Sequence, residues 1–113
     1  MIASKFQAIA PIFQVADLHR SIDFYTRVLG FELGWTAGEP FDRASLCRDG
    51  VEITIETDPL PGRGKAYLYV SGIDEIYSRA AAGARVTVPL ADRSYGMRDG
   101  RILDPDGNEL HIG

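Results

Sequence analysis

Three glutamates and a histidine occur in this sequence at spacings that give them a common face on β-strands. In Asp106-Gly107-Asn108-Glu109-Leu110-His111-Ile112, alternation sends Glu109 and His111 to one side and Leu110 and Ile112 to the other. Asp49-Gly50-Val51-Glu52-Ile53-Thr54-Ile55 repeats the pattern D-G-x-E-[IL]-x-I, with Glu52 and Thr54 on the polar side and Glu56 continuing it. Carboxylates beside an imidazole can relay a proton, ligate a divalent metal or hold a cationic molecule. Aromatic residues accompany them: Tyr67 and Tyr69 share a face by alternation, and Trp35, Phe41 and Tyr95 stand in or beside strand and loop segments. Such rings stack on planar ligands and attract positive charge.

The elements that must hold these residues repeat as well. Asp17 is a helix N-cap, Leu18, Ile22, Tyr25 and Leu29 follow at helical spacing, and Gly30 supplies a C-terminal stop. A second helix is expected over 74–82, ending at Gly83. Strands are expected over 8–15, 31–36, 43–48 and 51–57 in the first half, and over 66–70, 85–90, 97–103 and 108–112 in the second. Asp49-Gly50 and Asp104-Pro105-Asp106-Gly107 are turn signals. The stretch 58–65, D-P-L-P-G-R-G-K, has no periodicity and reads as a linker.

The chain is therefore read as one domain of two βαβββ modules, the first spanning about 6–57 and the second about 66–113. Each helix must cover the apolar side of its own strands, so Phe13, Val15, Val51, Ile53, Ile55, Leu68, Val70, Leu110 and Ile112 are expected beneath helices. The opposite faces then gather Ile12, Gln14, Glu52, Thr54, Glu56, Tyr67, Tyr69, Glu109 and His111. The expected architecture is α+β, a curved mixed sheet around a cavity lined by polar and aromatic groups.

Bulk properties narrow the partners. The chain has 113 residues, 45% of them hydrophobic, and a net charge of −4, which disfavours nucleic acid and is compatible with a cationic ligand. Its single cysteine, Cys47, cannot form an internal disulfide and reads as a packing residue. No apolar run reaches transmembrane length, so no membrane partner is expected and the expected location is cytoplasmic.

The run V-A-D-L-H-R-S-I-D-F-Y-T-R-V-L-G-F-E-L at 15–33, Y-G-M-R at 95–98 and D-P-D-G-N at 104–108 together resemble the vicinal oxygen chelate superfamily. This group includes glyoxalase I, extradiol dioxygenases, fosfomycin resistance enzymes and bleomycin resistance proteins. The resemblance implies a glyoxalase-like fold, often completed by dimerisation, and in the enzymes a divalent metal on His and Glu residues. Those ligand positions fall here on Ala10, Thr54, Lys65 and His111. Only His111 is a good ligand, since alanine has no donor atom, threonine is weak and lysine is cationic.

The resemblance accordingly implies the bleomycin resistance type, an antibiotic-sequestering homodimer with no cofactor, no metal and no catalytic residue. Gln14, Trp35, Phe41, Glu52, Thr54, Glu56, Tyr67, Tyr69, Tyr95, Glu109 and His111 are the expected contacts to a small-molecule ligand. Two alternatives stand beside it. One is a metal-dependent glyoxalase I-like lyase or extradiol dioxygenase-like enzyme with a degenerate metal site. The other is a metal-free enzyme with Glu52 or Glu56 as general base near His111.

Overall fold

Asp17 caps the first helix as its position requires, its carboxylate accepting a hydrogen bond from the Arg20 backbone N–H at 3.1 Å. The helix ends before Gly30, which takes the left-handed conformation at φ 71°. In the computed structural model, which describes residues 3–113, the chain order is β1 (Ile12–Val15), α1 (Leu18–Arg27), β2 (Glu32–Ala37), β3 (Arg43–Arg48) and β4 (Val51–Thr57). It continues with β5 (Lys65–Leu68), α2 (Ile73–Gly83), β6 (Arg85–Asp92), β7 (Arg98–Leu103) and β8 (Glu109–Ile112). This is the expected pair of βαβββ modules.

Each module forms its own four-stranded mixed sheet, in the orders β1-β4-β3-β2 and β5-β8-β7-β6. The first strand of each module runs parallel to its last, and the remaining pairs are antiparallel. The helices cover the apolar faces. Phe13, Val15, Ile53, Ile55, Leu110 and Ile112 are buried with Tyr25, Leu46 and Ile102 in one core, and Val51, Leu68 and Val70 pack partly buried against it.

Boundaries shift where local chemistry intervenes. Residues 8–11, expected in the first strand, precede it; Pro11 has no N–H to donate, and its carbonyl accepts from Thr54 N at 3.0 Å where the ladder begins. The strand expected over 85–90 runs further, because β6 continues through Asp92 opposite Arg98. Gly72 precedes α2 at φ 74° without a side-chain cap. Gly100 lies under the helix of its module, where an added Cβ would sit 2.5 Å from the Tyr77 ring, so any larger residue would displace that tyrosine.

The turn D-P-D-G-N couples the two modules. Buried Asp104 accepts at Oδ1 from the backbone N–H groups of Asp106 and Asn108, both at 2.9 Å. Its Oδ2 accepts from the Tyr25 hydroxyl of α1 at 2.9 Å and from Asn108 Nδ2 at 2.8 Å. Burial, followed by the Asp104 carboxylate, pushes the Tyr25 hydroxyl far up, so it stays protonated and donates. Asp106 accepts from Ala16 N and pairs with Arg20 at 2.8 Å, while Asn108 donates to the Gln14 carbonyl and accepts from Gly64 N. Residues of the second module thus satisfy the end of β1 and the start of α1.

Candidate functional site

Alternation along β1 and β4 builds the polar face of the first sheet. Their register sets Ile12 beside Thr54 and Gln14 beside Glu56. β3 adds Ser45 opposite Thr54, Cys47 opposite Glu52 and Arg43 opposite Glu56. Gln14 Nε2 donates to Glu56 Oε1 at 2.7 Å, Arg43 Nη2 lies 3.3 Å from Glu56 Oε2, and the Ser45 hydroxyl donates to Glu52. Cys47 is half-buried on this face, its Sγ 3.5 Å from Ser45 Oγ, and is not beneath the helix. One group is unsatisfied: Gln14 Oε1 is buried without a hydrogen-bond partner among the described residues.

The second sheet repeats the plan with different residues. Lys65 pairs with Glu109, Tyr67 with His111, and Arg101 of β7 with His111 from the other side. His111 Nε2 lies 3.0 Å from Glu109 Oε1, and Thr87 Oγ1 donates to Glu109 Oε2 at 3.2 Å. Burial pushes the Glu109 carboxyl up, but the hydrogen bonds from His111 and Thr87 outweigh it and hold the group below its ordinary value.

Asp99 is the hub of this face. It accepts from the Tyr95 hydroxyl at 2.6 Å, the Tyr67 hydroxyl at 2.8 Å and Arg93 Nε at 2.9 Å, and is 6% exposed. The Tyr95 bond, with Arg93 and Tyr67, overcomes burial and holds the carboxyl at about 2. Burial and Asp99 push the Tyr67 hydroxyl up to about 12, so the pair is carboxylate and phenol throughout the physiological range. The Tyr67 ring lies 4.6 Å from that of Tyr69 at an interplanar angle of 36°, and 5.8 Å from the His111 ring. Tyr69 is 73% exposed, which leaves a ring surface open for stacking.

The expected contact residues therefore fall into two groups. Gln14, Glu52, Thr54 and Glu56 belong to the first sheet; Tyr67, Glu109 and His111 belong to the second, with Tyr69 just past the end of β5 and Tyr95 in the turn between β6 and β7. Trp35 lies where the register between β2 and β3 slips, and Phe41 in the turn before β3; both are about half exposed. Four surface clefts lie elsewhere, and Tyr69 is the one expected contact residue in their walls. Sequence reasoning missed Asp99, Arg93 and Arg101. Alternation along 97–103 already sets Asp99 and Arg101 on a common side; Arg93 sits in a turn and carries no such signal.

The donor set does not suit a divalent metal. Ala10 and Lys65 cannot ligate, Thr54 is weak, and His111 is engaged with Glu109. Among the described residues no three His, Cys, Asp or Glu side chains gather into a metal-binding group. Glu52 and Glu56 also lie on a different sheet from His111, so no carboxylate–imidazole pair forms between them within either sheet.

A family model described as the Glyoxalase/Bleomycin resistance protein/Dioxygenase superfamily matches residues 6–112. The chain belongs to this superfamily. An uncharacterised protein of Mycobacterium bovis is 30% identical over 124 residues, covering 94% of this chain and 82% of its own length. Among solved structures of the superfamily's fold, TioX from Micromonospora sp. ML1 aligns with a TM-score of 0.82 at 24% identity over 95% of this chain and 97% of its own. The bleomycin-binding protein of Streptomyces verticillus, solved with copper(II)-bleomycin, aligns with a TM-score of 0.80 at 21% identity over 97% of each chain. At those identities the two structures establish the fold.

Proposed function

We propose that this superfamily member is a metal-independent binding protein that sequesters a planar, aromatic or cationic small molecule, in the manner of an antibiotic-binding protein. The observation that carries the reading is the Tyr67–Tyr69 pair: two rings in contact at a tilt of 36°, the outer one 73% exposed, set beside the ionised carboxylates of Asp99 and Glu109. A flat cation would stack on Tyr69 and meet negative charge at its edge. Gln14 Oε1 on the other sheet suits a ligand donor, since an unpaired buried acceptor costs roughly 1–3 kcal/mol. The Streptomyces verticillus relative, which shares the fold, binds bleomycin.

The ligand is held between two copies of the chain. Phe6 is 105% and Ile9 95% exposed, and Ile12, Trp35 and Phe41 add further exposed apolar surface, which a homodimer would cover. Sedimentation velocity tests the dimer.

Calorimetric titration with metal-free bleomycin and with the planar cations ethidium and proflavine tests the ligand class. Saturable binding of at least one is expected, weakened by Tyr69→Ala and by Trp35→Ala. Unchanged affinity in both variants would overturn the reading. Metal analysis after incubation with nickel, zinc and manganese is expected to give well under one ion per chain; one tightly held ion per chain would favour an enzyme instead.

A further inference from the structure

A cleft of about 660 Å³ opens between the modules, walled by the end of α1 and the outer side of α2. Three arginines line it, Arg27, Arg48 and Arg79, against one acid, Glu75. In a chain of net charge −4 this is a local excess of positive charge. Arg79 is exposed and makes no hydrogen bond or ion pair among the described residues. Arg27 pairs only with Asp23 on its own helix, at 2.7 Å, where both side chains are largely in solvent. Arg48 is fixed by donating from Nη1 to the Leu29 carbonyl at 2.6 Å, and its Nε lies 3.5 Å from Asp49 Oδ2, which leaves the N–H groups of Nη2 to offer. Ser71 and Gly72 bring the start of α2 to the same wall, and no side chain caps that helix end. Its unpaired backbone N–H groups add to the positive potential.

A second cleft of about 310 Å³ shares Leu29, Arg48, Ser71 and Ile76 with the first. Most of its lining is apolar, Phe31 and Val51 from the first module with Leu68 and Val70 from the second, and its one acid, Asp49, is the partner of Arg48. The two together form a continuous groove, cationic at one end and apolar at the other, within the size range of small-molecule sites. Burial of an apolar tail and a charge-assisted contact to the head would act on one molecule at once.

We propose that this groove is a second binding site, selective for an amphipathic anion: a carboxylate or phosphate head on an apolar chain or ring. The head sits among Arg27, Arg48 and Arg79; the tail lies on Phe31, Leu68 and Val70. The site is independent of a ligand on the polar sheet faces, because its walls are helix ends and module edges, with Tyr69 alone common to both.

The test is calorimetry with decanoate and with decyl phosphate below their micelle concentrations, set against decanol, and methyl NMR to locate each probe. Saturable binding of one or both anions is expected, with decanol at least about tenfold weaker, the loss of one charge-assisted contact. Shifts should appear at Val28, Val70 and Ile76 and be absent at Ile12 and Thr54, which report the polar faces. Arg27→Gln combined with Arg79→Gln should weaken decanoate by about tenfold or more and leave decanol unchanged. Decanol binding as tightly as decanoate, no saturable binding of either anion, shifts confined to Ile12 and Thr54, or an unaltered affinity in the double variant would each overturn the proposal.

Discussion

Replacing Asp104 by alanine removes one carboxylate that four donors share. Two of those donors, the Tyr25 hydroxyl and Asn108 Nδ2, belong to residues with no exposed surface, so water does not replace the lost acceptor. The backbone N–H of Asn108 is buried as well, whereas that of Asp106 is only part-buried, so partial hydration softens its loss. Asn108 Nδ2 keeps its bond to the Gln14 carbonyl, so its loss is partial too. At roughly 1–3 kcal/mol for each buried group left unpaired, the expected cost is about 3–5 kcal/mol, a large share of the ~5–15 kcal/mol that stabilises a domain. Tyr25→Phe removes one donor to the carboxylate and leaves Asp104 with three, so about 1.5–3 kcal/mol is expected. Urea unfolding followed by far-ultraviolet circular dichroism measures both. If Asp104→Ala cost under about 1 kcal/mol, or no more than Tyr25→Phe, the turn would not be the staple between modules that its hydrogen bonds indicate.

Asp99 gives a pH prediction with a definite sign. Its folded value, about 2, is below the 3.8 of an unperturbed side chain, so its contribution to stability is complete above about pH 4 and is lost as pH falls through about 2. Titration of the Asp99 carboxyl by NMR should show a midpoint near 2; a midpoint at 3.8 or above would contradict the hub. Gly100→Ala should destabilise by about 1–3 kcal/mol through its clash with the Tyr77 ring, and a neutral result in thermal unfolding would mean the ring moves freely. Asp17→Ala should cost about 1 kcal/mol as a lost helix cap, whereas Asp17→Asn, which keeps an acceptor, should cost little by the same assay.

Local rules carried most of the fold. Asp17 and Gly30 bound a helix whose apolar residues recur at helical spacing, and the two D-G-x-E repeats became β4 and β8 because alternation and turn chemistry agree there. Local rules cannot say which sheet meets which. Tyr25, chosen from spacing as a core residue, is also the donor to a carboxylate from the other module, a link with no signature in the intervening residues. The candidate site shows the same division. Alternation assigned Gln14, Glu52, Thr54 and Glu56 to one polar face and Tyr67, Glu109 and His111 to another, and the strand registers agree. Composition made the acids look free to attract a cation; side-chain packing supplied Arg43, Ser45, Thr87 and Arg93 as partners. Cys47, read only as a packing residue, stands on the polar face because β3 alternates in step with its neighbours, a relation that single-residue hydrophobicity does not contain.

The staple at Asp104, Asp106 and Asn108 joins residues far apart in synthesis order. Arg20 and Tyr25 leave the ribosome well ahead of their partners, as the separations of 86 and 79 for those two hydrogen bonds require. The first module therefore waits with Arg20 and Tyr25 without these acceptors until the turn before β8 is being made, exposed meanwhile to chaperones and to neighbouring chains. A nascent chain halted before residue 104 lacks every acceptor of that set. Stalling there, more than at the linker between modules, is the point at which misassembly should be greatest.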